Sequence, residues 1–114
     1  MNEQKAIKEL KVIFSDQLNY LADDPTQPID PLTYRTPEGD SLLHLAAIRG
    51  DAHALNLLLD IGLDINLQGD MGYTPLHHAK KQTNGAAYEI LISRGARKDI
   101  VNDFGELSVR LNNI

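Results

Sequence analysis

The chain has 114 residues, 42% hydrophobic and 24% charged, with a net charge of −5; this describes one soluble globular domain, too short for two and too apolar for disorder. Cysteine is absent, which excludes a disulfide framework, a thiolate zinc site and a cysteine nucleophile together. The aromatics are four Tyr and two Phe, so any core is built mainly from Leu, Ile and Ala, a composition that favours closely packed helices over a β-sandwich.

In chain order, residues 1–22 come first. Ile7, Leu10, Phe14, Leu18 and Leu21 recur at spacings of three and four, which places one apolar stripe on a helix from about residue 3 to 22. Lys5, Lys8, Glu9 and Lys11 lie off the stripe, and Asp23-Asp24-Pro25 ends it. An amphipathic membrane-surface helix is the weaker reading, because the polar face is not strongly basic. No apolar run approaches a signal-peptide core or a membrane span, so a cytoplasmic protein without membrane contact is expected. Residues 23–37 hold four of the five prolines and read as an extended connection with room for a helical turn at 31–34.

From residue 38 the sequence repeats itself. Residues 39–70 align on 72–103 without a gap at an offset of 33: Gly39 on Gly72, Leu43 on Leu76, His44 on His77, Ala46 on Ala79, Gly62 on Gly95 and Asp70 on Asp103. A further step takes Gly72 to Gly105 and opens a third copy. Within each copy the chemistry spells two helices. Ser41 and Thr74 supply N-cap oxygens, Pro75 suits a first helical turn, and Gly50 closes the first helix in a left-handed conformation, as Gly62 and Gly95 close the second. Leu55, Leu58 and Leu59, matched by Tyr88, Leu91 and Ile92, form the buried stripe of the second helix. A period of this length identifies a stacked array whose units bury their apolar faces against one another.

The residues Thr74-Pro75-Leu76-His77-His78-Ala79, with Ser41-Leu42-Leu43-His44-Leu45-Ala46-Ala47 in the preceding copy, resemble the T-P-L-H-x-A signature of the ankyrin repeat. The resemblance covers residues 36–114 and implies an all-α fold: a short ankyrin-repeat solenoid of helix-turn-helix pairs. Repeats at 38–70 and 71–103 are followed by a truncated repeat at 104–114, read as a C-terminal capping helix with Val109 and Leu111 inward. The resemblance does not extend to residues 1–22, which are read as an N-terminal capping helix. The second copy departs from the pattern. Thr83-Asn84-Gly85 replaces a single glycine, with Asn84 or Gly85 at positive φ. Lys80 stands where a second Ala packs, so its stem must snorkel outward. At the end of the first copy, Gly69 stands where ankyrin repeats usually have an Asp that braces the next turn.

His44 and His77 occupy the place where ankyrin histidines hydrogen-bond the turns of the stack, which is their expected role. Adjacent His77 and His78 point about 100° apart on a helix and cannot chelate one ion, and His53 faces solvent. No metal, cofactor or catalytic residue is expected, for there is no phosphate-binding glycine loop and no nucleophile with an oriented base.

What the resemblance implies is protein binding, through the hairpin tips and the exposed face of each first helix. Carried over by alignment, the contact residues are Pro37, Glu38, Asp40, Ile48 and Arg49 in the first repeat, Asp70, Met71, Tyr73, Lys81 and Gln82 in the second, and Asp103, Phe104 and Glu106 in the third turn. Met71, Tyr73 and Phe104 are large groups on turns that need not bury them, the residue class that anchors interfaces. The charge is polarised: residues 38–70 carry one base against six acids, residues 71–114 six bases against four acids. Phosphates need clustered cations, so nucleic acid is not an expected partner, whereas a basic protein suits the acidic rim. A monomer is expected, with self-association through an uncovered apolar edge as the competing possibility. The small freestanding format resembles bacterial ankyrin proteins that neutralise a toxin or accompany an enzyme, which makes an immunity or inhibitor protein against a basic target the alternative function.

Overall fold

The computed structural model describes residues 3–18, 30–81 and 85–109. Helices α1 (Glu3–Ile13) and α2 (Ser15–Leu18) open the chain, followed by α3 (Leu42–Arg49), α4 (Ala52–Asp60), α5 (Pro75–Ala79) and α6 (Ala86–Ser93). The expected single helix at 3–22 is therefore interrupted at Phe14, and Leu21 lies outside the described residues. The turn expected at 31–34 is present, with the Asp30 side chain accepting from Leu32 N–H at 2.9 Å and its carbonyl from Tyr34 N–H at 2.9 Å.

Helix starts follow the sequence closely. Ser41 Oγ accepts from Leu43 and His44 N–H, while Ser41 N–H donates back to His44 Nδ1 at 3.1 Å. Thr74 and His77 repeat this closed pair at α5, with Pro75 in the first turn. A histidine here takes the part that Glu or Gln usually plays in a capping box. Asp51 caps α4 by accepting from Ala54 N–H at 3.0 Å. Gly50 ends α3 at φ 68°, a left-handed conformation that only glycine adopts without steric cost; Gly62 and Gly95 also take positive φ.

The second repeat is the less regular one, as its sequence implies: α5 has five residues where α3 has eight. Gly85 has φ −80°, so it does not take the positive φ expected of Asn84 or Gly85, and Asn84 lies outside the described residues. Lys80 is half-buried and snorkels to donate to Leu107 C=O at 2.6 Å.

The helices form two layers. α3 packs on α5, α1 and α6 both pack on α4, and each repeat closes by α3 on α4 and α5 on α6. One apolar core results, running from Ala6, Leu10 and Phe14 through Leu43, Leu55 and Leu58 to Leu76 and Leu91. Because α4 lies between α1 and α6 and also against α3, it buries Leu57 as well as Leu55 and Leu58, while Leu59 and Ile92 of the expected stripes are only partly covered. Helix α1 stands to α4 as α6 does, so it extends the layer of second helices in the place of a preceding repeat's second helix. A Glu9–His53 pair at 2.6 Å joins α1 to α4, and Arg49 at the end of α3 bridges to Asp16 of α2 at 2.9 Å and lies over the Phe14 ring.

At the other end the expected capping helix spans 104–114, of which residues 110–114 lie outside the described residues; residues 104–109 are not helical. They complete a hairpin turn closed by an isolated bridge between Val101 and Leu107, with buried Ser108 donating to Arg97 C=O at 2.7 Å. Glycine at 105 and Asn102 favour the tight turn over helix here. Leu111 lies outside the described residues, and Val109 is half-buried.

Candidate protein-binding surface

Three turns of the same construction recur at the 33-residue period. Thr36 N–H donates to Asp40 C=O at 2.8 Å, Gly69 N–H to Tyr73 C=O at 2.8 Å, and Asn102 N–H to Glu106 C=O at 3.0 Å. The turns are tied to each other and to the helices behind them. Asp70 N–H donates to Asp40 Oδ1 at 3.0 Å, and Asp103 N–H donates to Met71 C=O at 3.0 Å.

His44 and His77 lock this array. Since Nδ1 of each accepts a backbone N–H, the proton resides on Nε2; that of His44 reaches Leu67 and Tyr73 C=O, both at 2.9 Å, and that of His77 reaches Glu106 C=O at 2.9 Å. Both rings are fully buried, and burial lowers their proton affinity below the ordinary histidine value. The histidines thus carry the repeat-to-repeat hydrogen bonding expected of them, from one helix to the turn of the next unit.

Gly69 is explained by contact rather than by conformation. A Cβ at this position would overlap Asp40 Oδ1 and stand 3.0 Å from His44 Nε2. The absent carboxylate of the sequence pattern is replaced by Asp40, which reaches across to brace the second turn from the first. In the third turn Asn102, equivalent to Gly69, braces its own turn instead: Oδ1 accepts from Phe104 N–H at 2.9 Å and Glu106 N–H at 3.0 Å.

The residues expected to contact a partner do not all meet. Tyr73, Lys81, Phe104 and Glu106 converge on one cluster. Lys81 Nζ donates to Tyr73 Oη at 2.9 Å and lies 4.3 Å from the ring centroid. Tyr73 Oη lies 3.4 Å from Glu106 Oε1, and the Phe104 ring meets Tyr73 edge-on at 6.3 Å. Glu106 also accepts from Asn102 Nδ2 at 2.9 Å; that bond, with Lys80 and Lys81 nearby, holds its carboxyl below the usual range. Met71 and Phe104 are 53% and 63% exposed, beside Asp70 and Asp103. Met71 sits at φ 55°, a left-handed conformation costing a side-chain-bearing residue roughly 1 kcal/mol, held by the bond its carbonyl receives from Asp103.

The remaining positions are distributed otherwise. Pro37 and Glu38 are exposed on the first turn, while Asp40 is half-buried and engaged as a brace. Ile48 is 42% exposed on α3, but Arg49 is engaged by Asp16 and Phe14 at the α1 side. Gln82 lies outside the described residues. A residue the sequence reading did not include is His78, stacked on Tyr73 at 4.8 Å and edge-on to His44 at 6.0 Å. Its Nε2 is buried without a hydrogen-bond partner, and burial pushes its pKa down to about 4. It stands where Leu45 stands one repeat earlier, and Leu45 is packed against the core. Among the described residues no three His, Asp or Glu side chains are grouped to hold a metal.

Residues 5–102 match the family model described as ankyrin repeats in three copies. The chain belongs to the ankyrin-repeat family. The match takes in most of α1, so the ankyrin likeness begins well before residue 36. An ADP-ribosylation factor GTPase-activating protein of Arabidopsis thaliana is 49% identical over 72 residues, 63% of this chain and 9% of that protein. A Schizosaccharomyces pombe protein with ankyrin and IPT/TIG repeats is 33% identical over 93 residues, 81% and 8% of the two chains. Human protein phosphatase 1 regulatory subunit 27 is 38% identical over 71 residues, 62% of this chain and 46% of that subunit. The ankyrin chain thus spans less than half the length of each of these relatives. They are plant, fungal and mammalian proteins, and they lend no support to the bacterial format suggested by its size. Among the described residues no helix is long and apolar enough to cross a membrane.

Proposed function

We propose that this ankyrin chain is a non-catalytic module that holds a basic partner protein against its turn tips and first helices. The observation that carries the reading is the pair of exposed apolar side chains, Met71 and Phe104, set on rigidly hydrogen-bonded turns around the half-buried Tyr73. Apolar anchors on a pre-ordered backbone lose little conformational entropy on binding, which is the condition under which a small surface gives useful affinity. Glu38, Asp70, Asp103 and Glu106 form the acidic rim that selects a basic partner and speeds encounter. A surface of this extent supplies roughly 600–1,000 Å² per partner, enough for a standard interface. Two relatives of different kinds, a GTPase-activating protein and a phosphatase regulatory subunit, share this segment, which supports reading it as a portable binding module.

Affinity capture with the wild-type chain, compared with a Met71→Asp/Phe104→Asp double variant and a Lys98→Gln control, tests this. A basic protein recovered by wild type and control but lost with the double variant is the expected outcome. Recovery unaffected by the double variant would remove the turn surface from the function.

A further inference from the structure

The cluster around Tyr73 contains a detail that protein binding in general does not require. An exposed ammonium, that of Lys81, is docked over an aromatic ring on the same surface that an acidic rim makes attractive to cations. We infer that the Tyr73 ring, with Glu106 beside it, is a seat for an arginine or lysine side chain of the partner, and that Lys81 fills this seat until the partner displaces it. The inference rests on the reading of the turn surface as a protein-binding face and names the group that face recognises.

The geometry supplies the parts of a cation site. Tyr73 offers a π-face and a phenol oxygen, and Lys81 Nζ, 4.3 Å from the centroid and 2.9 Å from Oη, uses both. Glu106 Oε1, 3.4 Å from Oη, contributes the negative charge, and the edge-on Phe104 ring walls one side. Ring, carboxylate and wall come from two consecutive turns, the first fixed by His44 and the second by His77 and Asn102, so the seat is pre-formed. Lys81 follows the last residue of α5 by two positions, where the helix has ended and the chain is exposed; its side chain is flexible and strongly hydrated, and can leave into solvent. An incoming guanidinium is better suited to the site, being planar, less hydrated and able to stack on the ring while hydrogen-bonding the carboxylate. The released Lys81 keeps its charge, so the exchange costs one weak intramolecular contact and selects against neutral side chains. The register also accounts for why only this repeat has the seat: Asp40 and Ile48 stand at the places of Tyr73 and Lys81 one repeat earlier, and Asp40 is engaged in bracing.

The test uses an acetylated, amidated Gly-Gly-Arg-Gly-Gly peptide and its citrulline counterpart, titrated into the full chain and followed by amide NMR shifts at residues 71–73 and 104–106. Wild type should bind the arginine peptide weakly and the citrulline peptide not at all. Lys81→Gln should tighten arginine binding by roughly two- to five-fold, the worth of one exposed cation–π contact. Lys98→Gln, which removes the same charge from an exposed site elsewhere, should leave affinity unchanged, and adding Tyr73→Leu to Lys81→Gln should abolish the gain. Equal effects of Lys81→Gln and Lys98→Gln, equal binding of the two peptides, or a gain that survives Tyr73→Leu would each overturn the inference. If the Met71/Phe104 double variant loses its captured partner while the peptide experiment fails, the binding surface stands and only the cation seat falls.

Discussion

His44, His77 and His78 are three imidazoles held neutral inside a chain of acidic pI, and their titration governs how its stability responds to acid. Burial is the leading cause in each case, and it lowers the folded-state pKa of all three below the ordinary 6.5, that of His78 to about 4. At these three rings the unfolded chain therefore binds more protons than the folded one as pH falls from about 6.5 toward the lowered folded-state values. The rings' contribution is fully present above about pH 6.5 and is lost progressively as pH falls toward 4. The groups facing His78 are His44, His77, Asp40 and Lys81; Asp40 alone favours the charged ring and does not offset burial. His53 works the other way, its proton held by Glu9, but it is exposed and screened. The urea midpoint should therefore drop steadily from pH 6.5 to pH 4.5, and a flat profile over that interval would show the three rings are not buried neutral. Gly69 is the second residue whose environment makes a firm forecast. Gly69→Ala should cost roughly 1–2 kcal/mol by displacing Asp40 from Asp70 N–H. In an Asp40→Ala background the same change should cost clearly less, a coupling that a double-mutant cycle in denaturant measures.

Among the elements, α6 has the weakest start. Its N-cap is Gly85, without a side-chain bond, at φ −80° and with nothing within 4 Å of where a Cβ would stand. Alanine fits that backbone and reduces the freedom of the unfolded chain, so Gly85→Ala should stabilise the protein by roughly 0.4–1 kcal/mol. Gly50→Ala should do the reverse, because φ 68° is strained for any residue with a Cβ. Thermal melts of the pair decide it: shifts of the same sign would contradict the backbone assignments. Helix α5 illustrates a different balance. At five residues it is too short to be stable alone, and it persists because both ends are fixed, by the Thr74–His77 box in front and by Pro75, Leu76 and Ala79 buried beneath.

For the whole molecule, the decisive question is whether α1 belongs to the cooperative unit. Leu10 and Phe14 are fully buried against the same continuous core as Leu55, Leu58 and Leu91, and a short repeat array unfolds as one unit when its interfaces outweigh its units. Leu10→Ala should therefore destabilise by roughly 2–5 kcal/mol, as for other fully buried leucines. The loss should appear as one shifted transition, seen equally by helix content and by amide exchange in α6. A separate early transition confined to α1 would mean the helix is an appendage.

The repeat was legible because its period rests on local chemistry. Caps, turn glycines and the Thr-Pro-Leu-His segment are specified by neighbours a few residues apart, so alignment at an offset of 33 located helices α3 to α6 and the three turns. It also brought Tyr73, Lys81, Phe104 and Glu106 onto one list. What the sequence could not decide was every matter settled between distant segments. That α1 joins the layer of second helices is decided by its packing on α4, not by its own apolar stripe. Whether Gly69 is a lost brace or a required gap depends on Asp40, in the preceding turn. Arg49 aligns with the contact residues yet turns toward Phe14, and the stacking of His78 on Tyr73 has no periodic signal in the sequence. Residue spacing fixes local geometry through the backbone, whereas the partner of a side chain is fixed by packing. The turn surface was therefore readable position by position, and the docking of Lys81 over Tyr73 was not.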